Sequence, residues 1–200
     1  MRSPVSTREA VHALVAEISP LDPVEAEHRD TVLAWISSDA PLYRVSKPDN
    51  PPMHLVSYMI PVDRESGDLL LVEHRNAGLR LPPGGHCEPG ELPWATVERE
   101  FTEELGVAAL AHPVFGQTPA MVTVTRTRDP YGRGGSHIDV SLWHVVQTDR
   151  TQVVAFDTAE FTAIGWHSPQ EVLQMPIDDL DPHMHRFLAK IVEPLRGQIL

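Results

Sequence analysis

Three glutamates within five residues, Glu100, Glu103 and Glu104, stand beside Arg99 and follow a segment that carries Gly84-Gly85, Glu88 and Glu91. Stepping about 100° per residue along a helix from Glu100 puts Glu104 near 40° and Glu103 near −60°. Trp94, Val97, Phe101 and Leu105 then cluster between about 60° and 140°. One face is apolar and the adjoining face is carboxylate. Such a face is unfavourable on its own. Like charges three and four apart repel by a few tenths of a kcal/mol per pair, and anions in a last turn oppose the helix dipole by about 0.3 to 1 kcal/mol each. A divalent cation reverses both signs, because clustered oxygen donors suit a hard ion such as Mg²⁺. The competing reading is a solvated acidic face, and the preceding loop weighs against it. Gly84-Gly85 lets the backbone turn a carbonyl toward an ion. Pro89-Gly90 fits the centre of a type II turn that returns Glu88 and Glu91 toward the helix. Arg99 can pair with Glu91 or with Glu103, orienting a carboxylate without neutralising the set.

For these groups to meet, Pro93 to Leu105 must be helical, with Gly106 as its C-terminal stop, and residues 75 to 92 must form a loop. Upstream, Val11, Leu14, Val15 and Ile18 keep a helical rhythm. Asp22, Pro23 and Glu25 predict a second helix, opened by a capping box and reaching about Ser37. Val24, Val32, Leu33 and Trp35 or Ile36 would face inward. Pro48, Pro51 and Pro52 make residues 47 to 53 a stiff linker. His54 to Val62 and Asp68 to His74 read as a hairpin around residues 63 to 67. Residues 118 to 126 and 137 to 147 read as paired strands around a loop at 129 to 135. A short strand from Phe161 to Trp166, a short helix from Pro169 to Gln174 and a last helix from Asp181-Pro182 to about Leu195 follow. The expected organisation is a helical extension over 1–46, a linker over 47–53 and a main domain over 54–200.

The composition agrees with a globular chain: 200 residues, 42% hydrophobic and 22% charged. Cys87 is the only cysteine, which excludes an internal disulfide and a cysteine-caged zinc. No apolar run reaches the roughly 18 residues of a spanning helix, and Arg2, Pro4, Arg8, Glu9 and Glu17 break the apolar core a signal peptide needs. The expected location is cytoplasmic. The net charge is −12. That balance argues against nucleic acid and anionic membranes as partners.

Gly85, Glu91 and the run Arg99-Glu100-Phe101-Thr102-Glu103-Glu104-Leu105-Gly106-Val107 resemble the Nudix box at every position that signature specifies. The resemblance extends through the hairpin, the strand from Ile138 and the tail Gly165 to Val172, leaving the N-terminal helices outside. It implies an α/β fold, an α/β/α sandwich around a mixed sheet with an N-terminal helical extension. It further implies Mg²⁺- or Mn²⁺-dependent hydrolysis of a diphosphate linkage in a nucleoside diphosphate derivative. Glu100, Glu103, Glu104 and the Gly84 carbonyl would be metal ligands, with Glu91 and Arg99 as the supporting pair. The general base would be Glu103 or Glu104, or Asp157 or Glu160 from a downstream loop. Two positions depart from common relatives: Leu92 occupies the helix N-cap, and Arg80 precedes Leu81-Pro82 where an aromatic residue is frequent.

Substrate contacts are less clearly marked. His137, Asp139 and Trp143 lie on one face of a predicted strand, as a pocket floor or as core, and Arg75, Arg80, Arg126, Arg128 and Arg133 could meet phosphates. Residues 122 to 126 lack the proline or tyrosine that resemblance associates with ADP-ribose or dinucleoside polyphosphate hydrolases. That favours a nucleoside triphosphate, with ADP-ribose or another dinucleotide as the alternative. Cys87 has no evident activating partner and reads as a filler. A Nudix-like module that binds nucleotide without cleaving it is the competing class, and the N-terminal helices could cover a sheet edge or build a homodimer contact.

Overall fold

The computed structural model describes residues 6–46, 50–127 and 136–196. Two helices come first, α1 (Thr7–Glu17) and α2 (Pro23–Ser37). Ser6 and Glu9 cap α1 reciprocally. Asp22 caps α2 through the Glu25 amide at 2.9 Å. The expected capping box is not closed, however. The Glu25 carboxylate accepts from the Leu21 amide instead, at 2.7 Å, and also meets Lys190. Val24 is exposed rather than inward, because the buried stripe of α2 runs through Glu25, Val32 and Ile36.

The sheet contains β1 (Met53–Asp63), β2 (Leu69–His74), β3 (Leu79–Leu81), β4 (Gly84–His86), β5 (Leu110–Ala111), β6 (Met121–Arg126), β7 (Ile138–Thr148) and β8 (Phe161–His167). Its central pairing is parallel: β1 runs beside β7 from Met53↔Ile138 to Asp63↔Thr148. The other pairings are antiparallel, β1 with β2 and β4, β2 with β3 and β8, and β7 with β5 and β6. The expected hairpin and paired strands are present. The stretch 75–92 holds two short strands that periodicity does not reveal, β3 and β4, of three residues each. β5 is likewise unforeseen, and β6 starts at Met121 rather than at 118.

Helix α3 (Pro93–Leu105) covers one face of the sheet, burying Val97, Phe101 and Leu105 against Met59, Leu70, Val72 and Phe161. The opposite face carries α4 (Pro169–Gln174) and α5 (Met184–Arg196), whose Phe187, Leu188 and Ile191 pack on Ile60, Trp143 and Val145. Each such side chain contributes about 1.5 to 3 kcal/mol by leaving water. Helix α5 begins at Met184, two residues later than expected. This is an α/β architecture with a mixed sheet between helical layers.

The N-terminal helices are welded to the same body. Val11, Val15, Val32 and Ile36 share a core with Leu55, Val122, Val140 and Leu142 of the sheet. Arg186 on α5 grips Asp22 through two bonds of 2.8 and 2.6 Å, and Lys190 pairs with the fully buried Glu25. Among the described residues, no helix is long and apolar enough to cross a membrane.

Candidate active site

The carboxylate face forms where α3 meets β4. Strand β4 lies antiparallel against β1, with Tyr58 opposite Gly84 and Ser57 opposite Gly85. A Cβ on Gly84, whose φ is +153°, would stand 2.3 Å from the Ser57 carbonyl oxygen. A Cβ on Gly85 would stand 1.9 Å from Glu100 Oε1. Glycine is therefore required at 84 by the sheet backbone, whereas at 85 a larger residue would displace the Glu100 side chain that crosses over it.

The helical angles explain how the three glutamates differ. Glu104, nearest the apolar arc, is only 3% exposed, whereas 60% of the Glu103 side chain remains in solvent. Glu104 Oε2 accepts from the Gly84 amide at 3.1 Å. Its Oε1 is buried with no hydrogen-bond partner among the described residues. Burial, reinforced by Glu100 and Glu160, pushes the Glu104 carboxyl up to about 9. Burial also raises Glu100, against the opposing pull of Arg99.

Arg99 organises the rest. It holds Glu91 bidentately, at 3.1 Å from Nε and 3.0 Å from Nη2, and touches Glu100 at 2.7 Å and Glu103 at 3.4 Å. The two pairings weighed from sequence are thus both made. The same guanidinium donates to the His86 carbonyl at 3.1 Å, fixing the loop's far end. Glu91 also accepts from the Glu88 amide and from the hydroxyl of buried Thr96, at 2.9 and 2.7 Å. Its carboxyl lies below its ordinary value because these donors outweigh burial. The turn at Pro89-Gly90 closes through the Glu91 amide and Glu88 carbonyl at 2.9 Å, with Gly90 at φ +85°. Leu92 gives α3 no side-chain cap.

The downstream loop reaches the same place. The Asp157 amide donates to the Glu104 carbonyl at 2.8 Å, and Glu160 lies close enough to raise both Glu100 and Glu104 electrostatically. Asp157 Oδ1 is engaged by the Ala159 amide. Arg75 fastens this loop by donating to the Thr158 and Phe161 carbonyls, at 3.1 and 3.4 Å. Arg80 on β3 faces Glu73 on β2 at 3.5 Å, opposite it in the antiparallel pairing.

Trp143 is core, not pocket floor. It is fully buried, its ring stacks on Phe187 at 4.9 Å, and its indole N–H donates to Thr123 at 2.9 Å. His137 and Asp139 do pair, at 3.1 Å, and they gather His54 and His86 around them. The sequence reading missed both of these histidines, since the β1–β7 and β1–β4 registers that bring them together are not local. Arg126 is exposed beside Ser136, and Arg128 and Arg133 lie outside the described residues. Cys87 is buried, 3.5 Å from the Ser57 hydroxyl, and burial raises its thiol.

An oxygen-rich set with one buried, unpartnered carboxylate oxygen has the chemistry of a hard divalent-cation site. The NUDIX domain family model matches residues 53–191. Over 142 residues the chain is 29% identical to the CTP pyrophosphohydrolase of Escherichia coli K12, covering 68% of this chain and 94% of that protein. Over 127 residues it is 30% identical to a MutT-like protein of Streptomyces ambofaciens, covering 62% and 70% respectively. Its fold resembles a C. elegans Ap4A hydrolase structure at a TM-score of 0.54 and 18% identity, covering 72% of this chain and 98% of the other. The chain belongs to the Nudix family. Within it, the chain is an enzyme of the pyrophosphohydrolase type.

Proposed function

We propose that this enzyme hydrolyses a diphosphate linkage of a nucleoside triphosphate, water attacking phosphorus, with Mg²⁺ or Mn²⁺ as the required cation. The observation that carries the proposal is the glutamate face of α3, where buried Glu104 keeps Oε1 without a hydrogen-bond partner among the described residues, among further carboxylates and beside the bend at Gly84. Glu100, Glu103, Glu104 and the Gly84 carbonyl would hold the cation, which when bound neutralises phosphate charge and acidifies water. Glu91 and Arg99 are positioning residues: Arg99 braces the loop through the His86 carbonyl and steers Glu100 and Glu103. Glu103 is the proton acceptor, because it is largely solvated and held only by a 3.4 Å contact to Arg99. Glu104 is instead anchored at one oxygen by the Gly84 amide.

The nucleoside triphosphate assignment is supported by likeness to a protein named as a CTP pyrophosphohydrolase. A panel of nucleoside triphosphates, ADP-ribose and dinucleoside polyphosphates, incubated with and without Mg²⁺, tests it. The expected result is preferential, Mg²⁺-dependent release of pyrophosphate or phosphate from a triphosphate, with ¹⁸O from solvent in one phosphorus product. Preferential cleavage of ADP-ribose would overturn the substrate assignment, and no Mg²⁺-dependent cleavage of any member would overturn the reaction.

A further inference from the structure

Four residues outside the glutamate face converge at the opposite end of β4. His54 is the second residue of β1, Asp139 faces it across the parallel pairing, His137 immediately precedes β7, and His86 closes β4 opposite Val56. One donor atom from each lies within 4.8 Å of all the others. His54 is wholly buried. Its Nδ1 lies 2.9 Å from the Pro51 carbonyl, which can only accept, so Nδ1 carries the hydrogen. In the neutral ring the Nε2 lone pair then points inward, 3.5 Å from Asp139 Oδ1, and this nitrogen has no hydrogen-bond partner among the described residues. His86 Nε2 is buried and unpartnered as well.

We propose that His54, His86, His137 and Asp139 form a second metal site, selective for Zn²⁺. Three imidazoles and one carboxylate make a closed four-coordinate set of the structural kind. Imidazole nitrogen favours zinc over magnesium or calcium. A tetrahedron with ligand bonds of about 2.0 to 2.1 Å has edges of about 3.3 Å. The His54–Asp139 and His137–Asp139 separations, 3.5 and 3.1 Å, already bracket that edge. The His54–Pro51 contact is the outer hydrogen bond that fixes a ligating imidazole's tautomer. With His54 neutral and no ion bound, its inward lone pair faces a carboxylate oxygen, a repulsive contact that a dication would make attractive. The bound ion ties β1, β4 and β7 together two residues from Gly84, and so steadies the bend that Glu100 crosses.

The test is metal content and coordination of the full chain without an affinity tag. Purified protein, stripped by chelator and dialysed against Zn²⁺, is expected to retain one zinc per chain, and its Co²⁺ form to show the intense visible absorption of a tetrahedral ion. D139N and H137A are each expected to weaken zinc binding at least about 100-fold, more than loss of an outer-shell contact does. The E100Q/E104Q double variant should keep the zinc, which separates this site from the glutamate face. A wild-type chain that retains no zinc, or binding unchanged in both D139N and H137A, would overturn the proposal, and circular dichroism of each variant establishes that it is folded.

Discussion

Replacing Glu104 by Gln should stabilise the cation-free protein while abolishing its activity. The Glu104 carboxyl is raised from 4.5 to about 9. Between those values the folded chain holds a proton that the unfolded chain has lost. The stability associated with the neutral carboxyl is thus complete below pH 4.5 and is lost as pH rises toward 9. At pH 7 the unfolded state has gained 2.5 pH units of ionisation, about 3 kcal/mol at 1.36 kcal/mol per unit. Gln is a permanently neutral, nearly isosteric replacement. Its amide oxygen can keep the Gly84 bond, and its N–H groups face the Glu100 and Glu160 field. Denaturant unfolding in EDTA should therefore find E104Q about 3 kcal/mol more stable than wild type at pH 7, and less than about 1 kcal/mol more stable at pH 5. The corresponding rise in Tm at pH 7 is roughly 6 to 12 °C for a chain of this size. Saturating Mg²⁺ should narrow or reverse the gap, because the cation stabilises only the chain that binds it. Equal stability at pH 7 in EDTA, or a gain that does not change with pH, would refute the reasoning.

Three other outcomes follow from the geometry. G85A places a methyl group 1.9 Å from Glu100 Oε1, so steady-state kinetics should show a fall in kcat of at least about 100-fold, the scale of losses from misplacing a catalytic group, with the far-ultraviolet spectrum unchanged. E25A leaves Lys190 without its partner in the joint between α2 and α5 and should cost about 3 to 5 kcal/mol in denaturant unfolding; an E25Q/K190M pair should recover most of that loss. Cys87 is buried with a raised thiol, so alkylation in the native protein should be slow, and C87A should retain activity in the same kinetic assay.

The glutamate face was legible because its signals are local. Helical spacing separates Glu104 from Glu103 by about 100°, and that angle alone anticipates which is buried and which is wet. The stop at Gly106, φ +69°, and the turn at Gly90 are equally local. The strands β3, β4 and β5 escaped the reading because runs of two or three residues are too short to display alternation. Trp143 alternates like a pocket residue, yet Phe187, more than forty positions away, covers it. The histidine cluster stayed hidden for a similar reason. His54 and Asp139 are adjacent only through a parallel pairing of strands far apart in sequence. The joint to α5 also depends on distant partners, since nothing near Glu25 announces Lys190.

The central claim is that the α3 carboxylates hold the cation that hydrolysis requires. The most direct measurement is electron paramagnetic resonance of Mn²⁺ titrated into wild type and E104Q, both zinc-loaded and both in the presence of a non-hydrolysable nucleoside triphosphate. The account predicts that wild type removes at least one equivalent of Mn²⁺ from the free-ion signal beyond what the nucleotide alone removes, and that E104Q loses that uptake. Identical titrations for the two proteins would contradict it.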